Sequence, residues 1–158
     1  MKLSQKTIQR LRNTYGNWVL ITGASSGIGR EISLKLGEAG FNLVITGRRE
    51  QVINEFATEL FDKFGVETIP LAGDLSTEVG VNGLKQDTEH LSLGMAILNA
   101  GYGTSGSFID SPIEKEVNML DLNCRAVLVL THHFASRMRD RGQKGAIVLM
   151  SSMVAFQG

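Results

Sequence analysis

Thr22-Gly23-Ala24-Ser25-Ser26-Gly27-Ile28-Gly29 is the stretch that decides the fold of this 158-residue chain. It joins a short apolar run, Trp18-Val19-Leu20-Ile21, to a segment in which apolar residues recur at helical spacing up to Gly40. The apolar run predicts a buried strand, and the periodic segment predicts an amphipathic helix. Glycines in such a turn let the backbone approach a pyrophosphate, toward which the helix start directs free N–H groups. We therefore predict a nucleotide-binding turn, with a purely structural turn as the alternative.

The same alternation continues along the rest of the chain. Apolar runs predict further strands at 43–45, 66–71, 95–98 and 146–150. Helical spacing predicts helices at 4–14, 27–39, 52–64, 77–91 and 112–141, the last of them broken near Met119. Strands that alternate with helices form a parallel sheet covered on both faces, and right-handed crossovers make that sheet doubly wound. The predicted fold class is therefore α/β, with the ligand site beyond the carboxyl ends of the strands.

Composition and charge exclude several classes of protein. Apolar residues make up 42% of the chain and charged residues 20%, as in ordinary globular domains. The 16 Lys and Arg balance the 16 Asp and Glu, so charge gives no reason to expect nucleic acid or an anionic membrane as a partner. Cys124 is the single cysteine, so no intrachain disulfide can form. Because the N-terminus has no apolar leader and no apolar stretch reaches about 18 residues, we expect a cytoplasmic protein that does not span a membrane.

Three further motifs follow in order along the chain. They are Asp74-Leu75, Asn99-Ala100-Gly101 and Asn123. Together with the T-G-x-x-x-G-x-G spacing of the first turn, they resemble the short-chain dehydrogenase/reductase family over residues 17–158. The resemblance implies a Rossmann-type domain, preceded by a helical extension at 1–16. It also implies that the glycine turn and Asn99 to Gly101 bind a dinucleotide, that Asp74 and Leu75 contact its adenine ring, and that Asn123 belongs to a catalytic tetrad.

The end of the second strand predicts which dinucleotide is bound. An enzyme that selects NAD uses an acidic residue there to bind the ribose 2′-hydroxyl, but no Asp or Glu occurs between Glu38 and Glu50. Arg48 and Arg49 follow the strand instead, and a guanidinium matches a 2′-phosphate in charge and shape. Two solvated arginines are the alternative, although cations at a helix start oppose its dipole. We therefore favour NADP over NAD, although Ser26 stands where many NADP-users of the family carry Lys or Arg.

Ser151 and Ser152 follow the fifth predicted strand. The family resemblance implies that Ser152 binds and polarises the substrate carbonyl, whereas Ser151 supports the backbone; a simple strand-end cap is the alternative for Ser152. The family also uses a Tyr in a Tyr-x-x-x-Lys motif about thirteen residues further on. Neither Tyr15 nor Tyr102 has a Lys four residues later. We therefore expect these 158 residues to be a truncated, inactive N-terminal portion with an incomplete sheet.

The predicted function of the parent protein is NADP(H)-dependent oxidation or reduction of a small carbonyl or alcohol substrate. A non-catalytic dinucleotide-binding protein and an inactive fragment are the alternatives. No metal site is predicted, because His132 and His133 are neighbours on a helix and point in different directions, whereas His90 is far away in the sequence.

The long helix carries two further predictions. Cys124 lacks a basic partner, which favours a packed thiol. The resemblance implies that the helix near 112–141 joins subunits into a homo-oligomer, and Val127, Leu128 and Phe134 are predicted to lie in the core or in that interface.

Overall fold

The computed structural model describes residues 4–142 and 144–152. The strands are β1 Trp18–Ile21, β2 Asn42–Gly47, β3 Thr68–Ala72, β4 Leu93–Leu98 and β5 Ala146–Leu149. The helices are α1 Gln5–Tyr15, α2 Gly27–Glu38, α3 Glu50–Phe64, α4 Glu78–Asp87, α5 Ile113–Leu120 and α6 Val127–Asp140, with a π-helical turn at Asp121–Ala126 between the last two. The strands form one parallel sheet in the order β3-β2-β1-β4-β5. The predicted α/β fold with a doubly wound parallel sheet is confirmed.

Strand β1 is the point at which the strand order reverses. Ile21 lies opposite Ile45 of β2 on one side and Ile97 of β4 on the other. The chain builds the sheet outward through β2 and β3 and then crosses back over β1 to form β4. The carboxyl ends of β1, β2 and β4 therefore open into one crevice, where doubly wound sheets bind their ligands.

Each face of the sheet carries its own apolar core. Helices α2 and α3 cover one face, where Phe41, Ile53 and Leu60 are fully buried. Helices α4 and α6 cover the other face, where Leu130 and Phe134 are almost fully buried. Burial of a side chain as large as Phe contributes roughly 1.5–3 kcal/mol to folding. The two cores hold the crevice between rigid layers.

Several element boundaries differ by a few residues from those predicted, and two of them have a clear local cause. Strand β3 begins at Thr68 instead of residue 66, because pairing with β2 starts where Thr68 lies opposite Leu43. It contains Pro70, which is compatible with its place at the edge of the sheet. Helix α4 ends at Asp87 instead of residue 91, and the hydroxyl of Thr88 donates to the Leu84 carbonyl at this end.

The long helix is interrupted at Asp121–Ala126 instead of near Met119. Leu122 and Ala126 face the core at 9% and 2% exposure, which leaves Cys124, two residues from each, on the opposite and exposed side. The expectation of a packed Cys124 thiol is therefore wrong. Phe134 and Leu128 are predicted to lie either in the core or in a subunit interface. Phe134 lies in the core, whereas Leu128 is 72% exposed.

Apolar surface is exposed on the α2 side of the sheet. Ile28, Ile32 and Leu36 of α2 line a groove of about 660 Å³ together with Ile97 of β4. Ile28 itself is 60% exposed. Strand β5 pairs only with β4 in the part of the chain that the structure describes, and its Val148 is 48% exposed. No helix within residues 4–142 and 144–152 is long and apolar enough to cross a membrane.

Candidate functional site

The glycine-rich turn after β1 is held between the ends of β2 and β4. The Thr22 hydroxyl accepts hydrogen bonds from the backbone N–H groups of Asn99 and Ala100, at 2.9 and 3.0 Å. On the other side, the Ala24 N–H donates to the Thr46 carbonyl of β2 at 2.9 Å. The turn is thereby fixed at the crevice where the strand order reverses.

The Asn99 side chain shapes the turn from β4. Its Nδ2 donates to the carbonyl oxygens of Thr22 and Gly23, at 3.1 and 3.2 Å. A Cβ at Gly29 would overlap the Gly23 carbonyl oxygen and lie 2.6 Å from Asn99 Nδ2. Gly23 has φ +69°, and a Cβ there would lie 2.8 Å from Ala100 Cα. The close approach of backbone to backbone therefore requires glycine at both positions.

The start of α2 is open to an anion. Ser26 is the N-cap residue, but its side chain makes no capping hydrogen bond. By contrast, Ser4 caps the Thr7 N–H of α1 and Thr77 caps the Gly80 N–H of α4. Ser26, Gly27 and Ile28 are exposed, whereas Ser25 is half-buried in the turn. The uncapped N–H groups and the helix dipole favour a phosphate at this position.

Two arginines follow β2, whose last residue, Gly47, lies next to this turn. Arg48 and Arg49 are exposed between β2 and α3, and within residues 4–142 and 144–152 no carboxylate pairs with either of them. Gly47 packs against the turn, since a Cβ there would lie 3.2 Å from Ser25 Cβ. Arg48 therefore follows directly on a residue that contacts the turn, and both arginines are exposed to solvent, where they can bind an anionic group.

Asp74 and Leu75 follow β3 at the same edge of the sheet. The half-buried Asp74 carboxylate accepts hydrogen bonds from the Ser76 N–H at 3.0 Å and from the Ser76 hydroxyl at 2.8 Å. Leu75 is 5% exposed and packs in the core. The pair is thus rigidly placed, with the carboxylate as its polar part.

Asn123 lies in the π-helical turn and binds the loop after β4. Its Oδ1 accepts from the Tyr102 N–H at 3.2 Å, and its Nδ2 donates to the Tyr102 carbonyl at 2.8 Å. A Cβ at Gly101 would lie 2.9 Å from Asn123 Oδ1, so glycine permits this contact. π-Helical turns within α-helices frequently lie at functional sites.

Ser151 and Ser152 lie just past the carboxyl end of β5. The Met150 N–H donates to the Leu98 carbonyl at 3.1 Å, which continues the alignment of β5 with β4. Both serines are exposed. The fold therefore places them at the edge of the sheet that also carries the glycine turn, Asn99 and Asn123.

The described residues contain no group of three or more His, Cys, Asp or Glu side chains that could hold a metal ion. His132 is exposed, and the His133 ring packs edge-on against Phe134 with 5.0 Å between ring centroids.

Comparison with known proteins identifies the family of this chain. The family model for short chain dehydrogenase matches residues 17–158. The chain belongs to the short-chain dehydrogenase family. The 7beta-hydroxysteroid dehydrogenase of Collinsella aerofaciens is 34% identical over 146 residues, which cover 92% of this chain and 55% of that protein. The very-long-chain 3-oxoacyl-CoA reductase of Laccaria bicolor is 32% identical over 141 residues, which cover 87% of this chain and 41% of that protein. The chain thus spans about half the length of the curated relatives it matches.

Solved structures of dehydrogenases have the same fold. The bulky-bulky ketone specific alcohol dehydrogenase from Comamonas testosteroni superposes with a TM-score of 0.85 at 31% identity, over 91% of this chain and 58% of that one. A short-chain dehydrogenase from Sphingobium yanoikuyae in complex with NADPH gives a TM-score of 0.84 at 33% identity, over 89% of this chain and 55% of that one.

The structure places the predicted site residues after the carboxyl ends of the strands or, for Asn123, against the loop after β4, and among them Leu75 is buried in the core. Thr22, which is not among the predicted site residues, anchors the glycine turn. Its position directly after β1, at the carboxyl end of a strand, is the sequence signal for this role. Tyr102, Ser76 and Asn118 also contribute side-chain hydrogen bonds next to the site. Their pairing depends on segments far apart in the chain and has no local sequence signal.

Proposed function

We propose that the protein containing this chain is an NADP(H)-dependent oxidoreductase that transfers a hydride between the nicotinamide and a carbonyl or alcohol carbon of a small molecule. The chain's membership of the short-chain dehydrogenase family supports oxidoreductase chemistry. The observation that carries the proposal is the uncapped start of α2 at the crevice where the strand order reverses, together with Arg48 and Arg49, which pair with no carboxylate of the described residues.

The residues present fit an NADP-type dinucleotide. The N–H groups at the start of α2 would hold its pyrophosphate, and Arg48 with Arg49 would hold the 2′-phosphate through charge-assisted hydrogen bonds. The NADPH complex of the Sphingobium yanoikuyae enzyme supports this choice over NAD. Asp74 would accept a hydrogen bond at the adenine end. Asn99 donates to the turn itself, so we propose that it acts on the dinucleotide by keeping the turn in shape.

The catalytic roles rest on two residues of this chain. When bound, the dinucleotide supplies or accepts the hydride. The Ser152 hydroxyl would donate to the substrate carbonyl oxygen and stabilise the charge that develops there. Asn123 would hold the loop that begins at Tyr102 against the π-helical turn. The 158 residues contain no Tyr-x-x-x-Lys sequence, so we propose that the proton donor lies on a segment outside them.

The substrate class is proposed from the relatives. Their names refer to a hydroxysteroid, bulky ketones and a very-long-chain 3-oxoacyl-CoA. We therefore propose a ketone with bulky apolar substituents, or the corresponding secondary alcohol.

A dinucleotide-binding protein without catalysis is the second candidate, because the residues that would hold the dinucleotide serve either function. The complete protein that carries these residues is titrated with NADPH and NADH by calorimetry. It is then incubated with NADPH and a panel of bulky ketones while NADPH absorbance is followed. We expect tighter binding of NADPH and reduction of at least one ketone. Binding without turnover would favour the second candidate, and failure to bind either dinucleotide would contradict both.

Ser152→Ala tests the catalytic assignment in the same protein. We expect turnover to fall on the order of 10²- to 10³-fold while NADPH affinity stays nearly constant, because the hydroxyl meets the substrate and not the dinucleotide. Ser107→Ala, an exposed serine of the loop after β4, is the matched control. Full turnover of the Ser152→Ala protein would show that the assignment is wrong.

A further inference from the structure

A buried serine connects the loop after β3 with the long helix. Ser76 is 4% exposed, and its hydroxyl donates to Asp74 Oδ1. The same hydroxyl oxygen accepts from Asn118 Nδ2 of α5 at 2.7 Å. The Ser76 carbonyl accepts from Arg125 Nη2 of the π-helical turn at 2.6 Å. All polar atoms of Ser76 are therefore engaged between these two segments.

Asn118 binds Ser76 with one end of its side-chain amide and Tyr102 with the other. Because the Ser76 hydroxyl gives its hydrogen to Asp74, Asn118 must present its NH₂ group to Ser76 and its Oδ1 to the other side. The Tyr102 hydroxyl donates to that Oδ1 at 2.9 Å, with the Lys115 carbonyl as a second acceptor at 3.1 Å. The hydrogen-bond logic thus fixes the orientation of the Asn118 amide.

Tyr102 is also the residue whose backbone binds Asn123. Its N–H and carbonyl fix both ends of the Asn123 carboxamide, so a shift of Tyr102 turns that carboxamide. The π-helical turn is tied to the same serine through Arg125, which also binds Asp121 Oδ1 at 2.7 Å. A continuous set of hydrogen bonds therefore runs from Asp74 through Ser76, Asn118 and Tyr102 to Asn123.

We propose that Ser76, Asn118 and the Tyr102 hydroxyl are positioning residues that hold the Asn123 carboxamide in its working orientation. The proposal rests on the proposed function only for the catalytic role of Asn123. Its structural content, the fixed orientation of Asn123, can be measured without turnover. None of the three groups needs to touch the substrate.

The first experiment uses selective ¹⁵N-asparagine labelling of the complete protein. Tyr102→Phe removes only the hydroxyl, and Asn118→Leu removes the amide at similar size. In both variants the Asn123 side-chain NH₂ resonances are expected to shift and to exchange with water at least about threefold faster, as expected for loss of one net hydrogen bond. Ser111→Ala removes a hydrogen bond of 2.6 Å from the same loop to Glu116, and it is expected to leave Asn123 unchanged.

The second experiment is a double-mutant cycle on turnover. Tyr102→Phe is expected to lower kcat about threefold to tenfold with little change in the KM for NADPH. In an Asn123→Ala background the same change is expected to have almost no further effect, because the group that it positions is gone. A purely structural role would lower kcat by the same factor in both backgrounds.

Unchanged Asn123 resonances in both Tyr102→Phe and Asn118→Leu would overturn the proposal, as would additive effects on kcat. An unmodified protein that reduces no ketone would contradict the proposed function. In that case the NMR result alone would still decide whether these residues position Asn123.

Discussion

Gly29 and Asn99 meet in a space that admits no further carbon atom. The amide of Asn99 and the carbonyl of Gly23 fill the position that a Cβ of residue 29 would take. The Thr22 hydroxyl then locks the turn to the end of β4. At the residue scale, the glycine turn proposed to bind the cofactor thus depends on two glycines and on two polar side chains that bind backbone.

The charge beside that turn leads to a prediction on cofactor choice. Arg48→Ala removes an exposed guanidinium that has no carboxylate partner among the described residues. A charge-assisted hydrogen bond is worth roughly 1.5–3 kcal/mol, so the variant is expected to lose about 10- to 150-fold in NADPH affinity. NADH affinity is expected to stay nearly constant. Calorimetric titration of the complete protein with both dinucleotides measures this.

The matched control is Arg139→Ala, which changes another exposed arginine. Arg139 lies at the end of α6, just before β5 begins, and therefore on the side of the sheet where the strands begin, opposite the carboxyl ends. Its cofactor affinities are expected to equal those of the unmodified protein. Equal NADPH and NADH affinities before any substitution would show that the assignment of Arg48 is wrong.

At the element scale, α4 contains two glycines in different surroundings. A Cβ at Gly80 would overlap the Asp74 carbonyl oxygen, whereas a Cβ at Gly83 would meet no atom within 4 Å. Gly80→Ala is expected to destabilise the fold by about 1–3 kcal/mol through steric overlap. Gly83→Ala is expected to stabilise it by up to about 1 kcal/mol, because alanine favours the helix. Urea unfolding measures the change in the free energy of unfolding for each variant. Equal changes in the two variants would contradict the argument from the surroundings of each glycine.

His133 of α6 is expected to make the stability of the fold depend on pH. Burial of the His133 ring lowers its pKa from the ordinary 6.5, and the Arg137 guanidinium lowers it further. Lys85 and His132 act in the same direction, and Glu89 opposes them. The unfolded chain therefore takes up this proton at higher pH than the folded chain, so the free energy of unfolding is expected to fall as pH drops below about 6.5. Above that pH His133 is neutral in both states and contributes no slope.

His133→Gln is expected to reduce this loss of stability between about pH 6.5 and pH 5, since glutamine does not titrate. His132→Gln changes the exposed neighbour and is expected to retain most of the pH dependence. Urea unfolding at several pH values gives both slopes. An unchanged slope in His133→Gln would contradict the role of burial.

At the scale of the whole molecule, apolar side chains are exposed along one side of the long helix. Ile113, Val117, Leu120 and Leu128 are between 49% and 72% exposed. Their spacing keeps them on one stripe across α5 and α6, and a stripe of this kind is typical of a contact between subunits. The stripe supports the proposed homo-oligomer.

Leu128→Lys tests that proposal. A charge within the proposed subunit contact is expected to shift the complete protein toward smaller species in light scattering, because an unpaired charge would be buried. Phe61→Lys changes a 61% exposed residue of α3 away from the stripe and is expected to leave the mass unchanged. A monomeric unmodified protein would contradict the proposed interface.

The fold was predictable because its signals are local. Apolar runs and helical spacing located every strand and helix to within a few residues, and glycines marked the turn after β1. The errors lie where a distant segment decides the outcome. Strand β3 starts where β2 offers it a partner, and Cys124 is exposed because Leu122 and Ala126 take the core side of the π-helical turn.

In the candidate site, too, some features have a local sequence signal and others depend on contacts between distant segments. The sequence by itself determined the alternating α/β order, the glycine turn, the missing acid near Arg48 and the family resemblance, because each is written in a short stretch of residues. Only the tertiary structure decided that Thr22 binds the backbone of Asn99 and that Ser76 binds Asn118, 42 residues away. Such pairs form when packed strands and helices bring their ends together. Hydrogen bonds act over about 3 Å in space and leave no periodic trace in the chain.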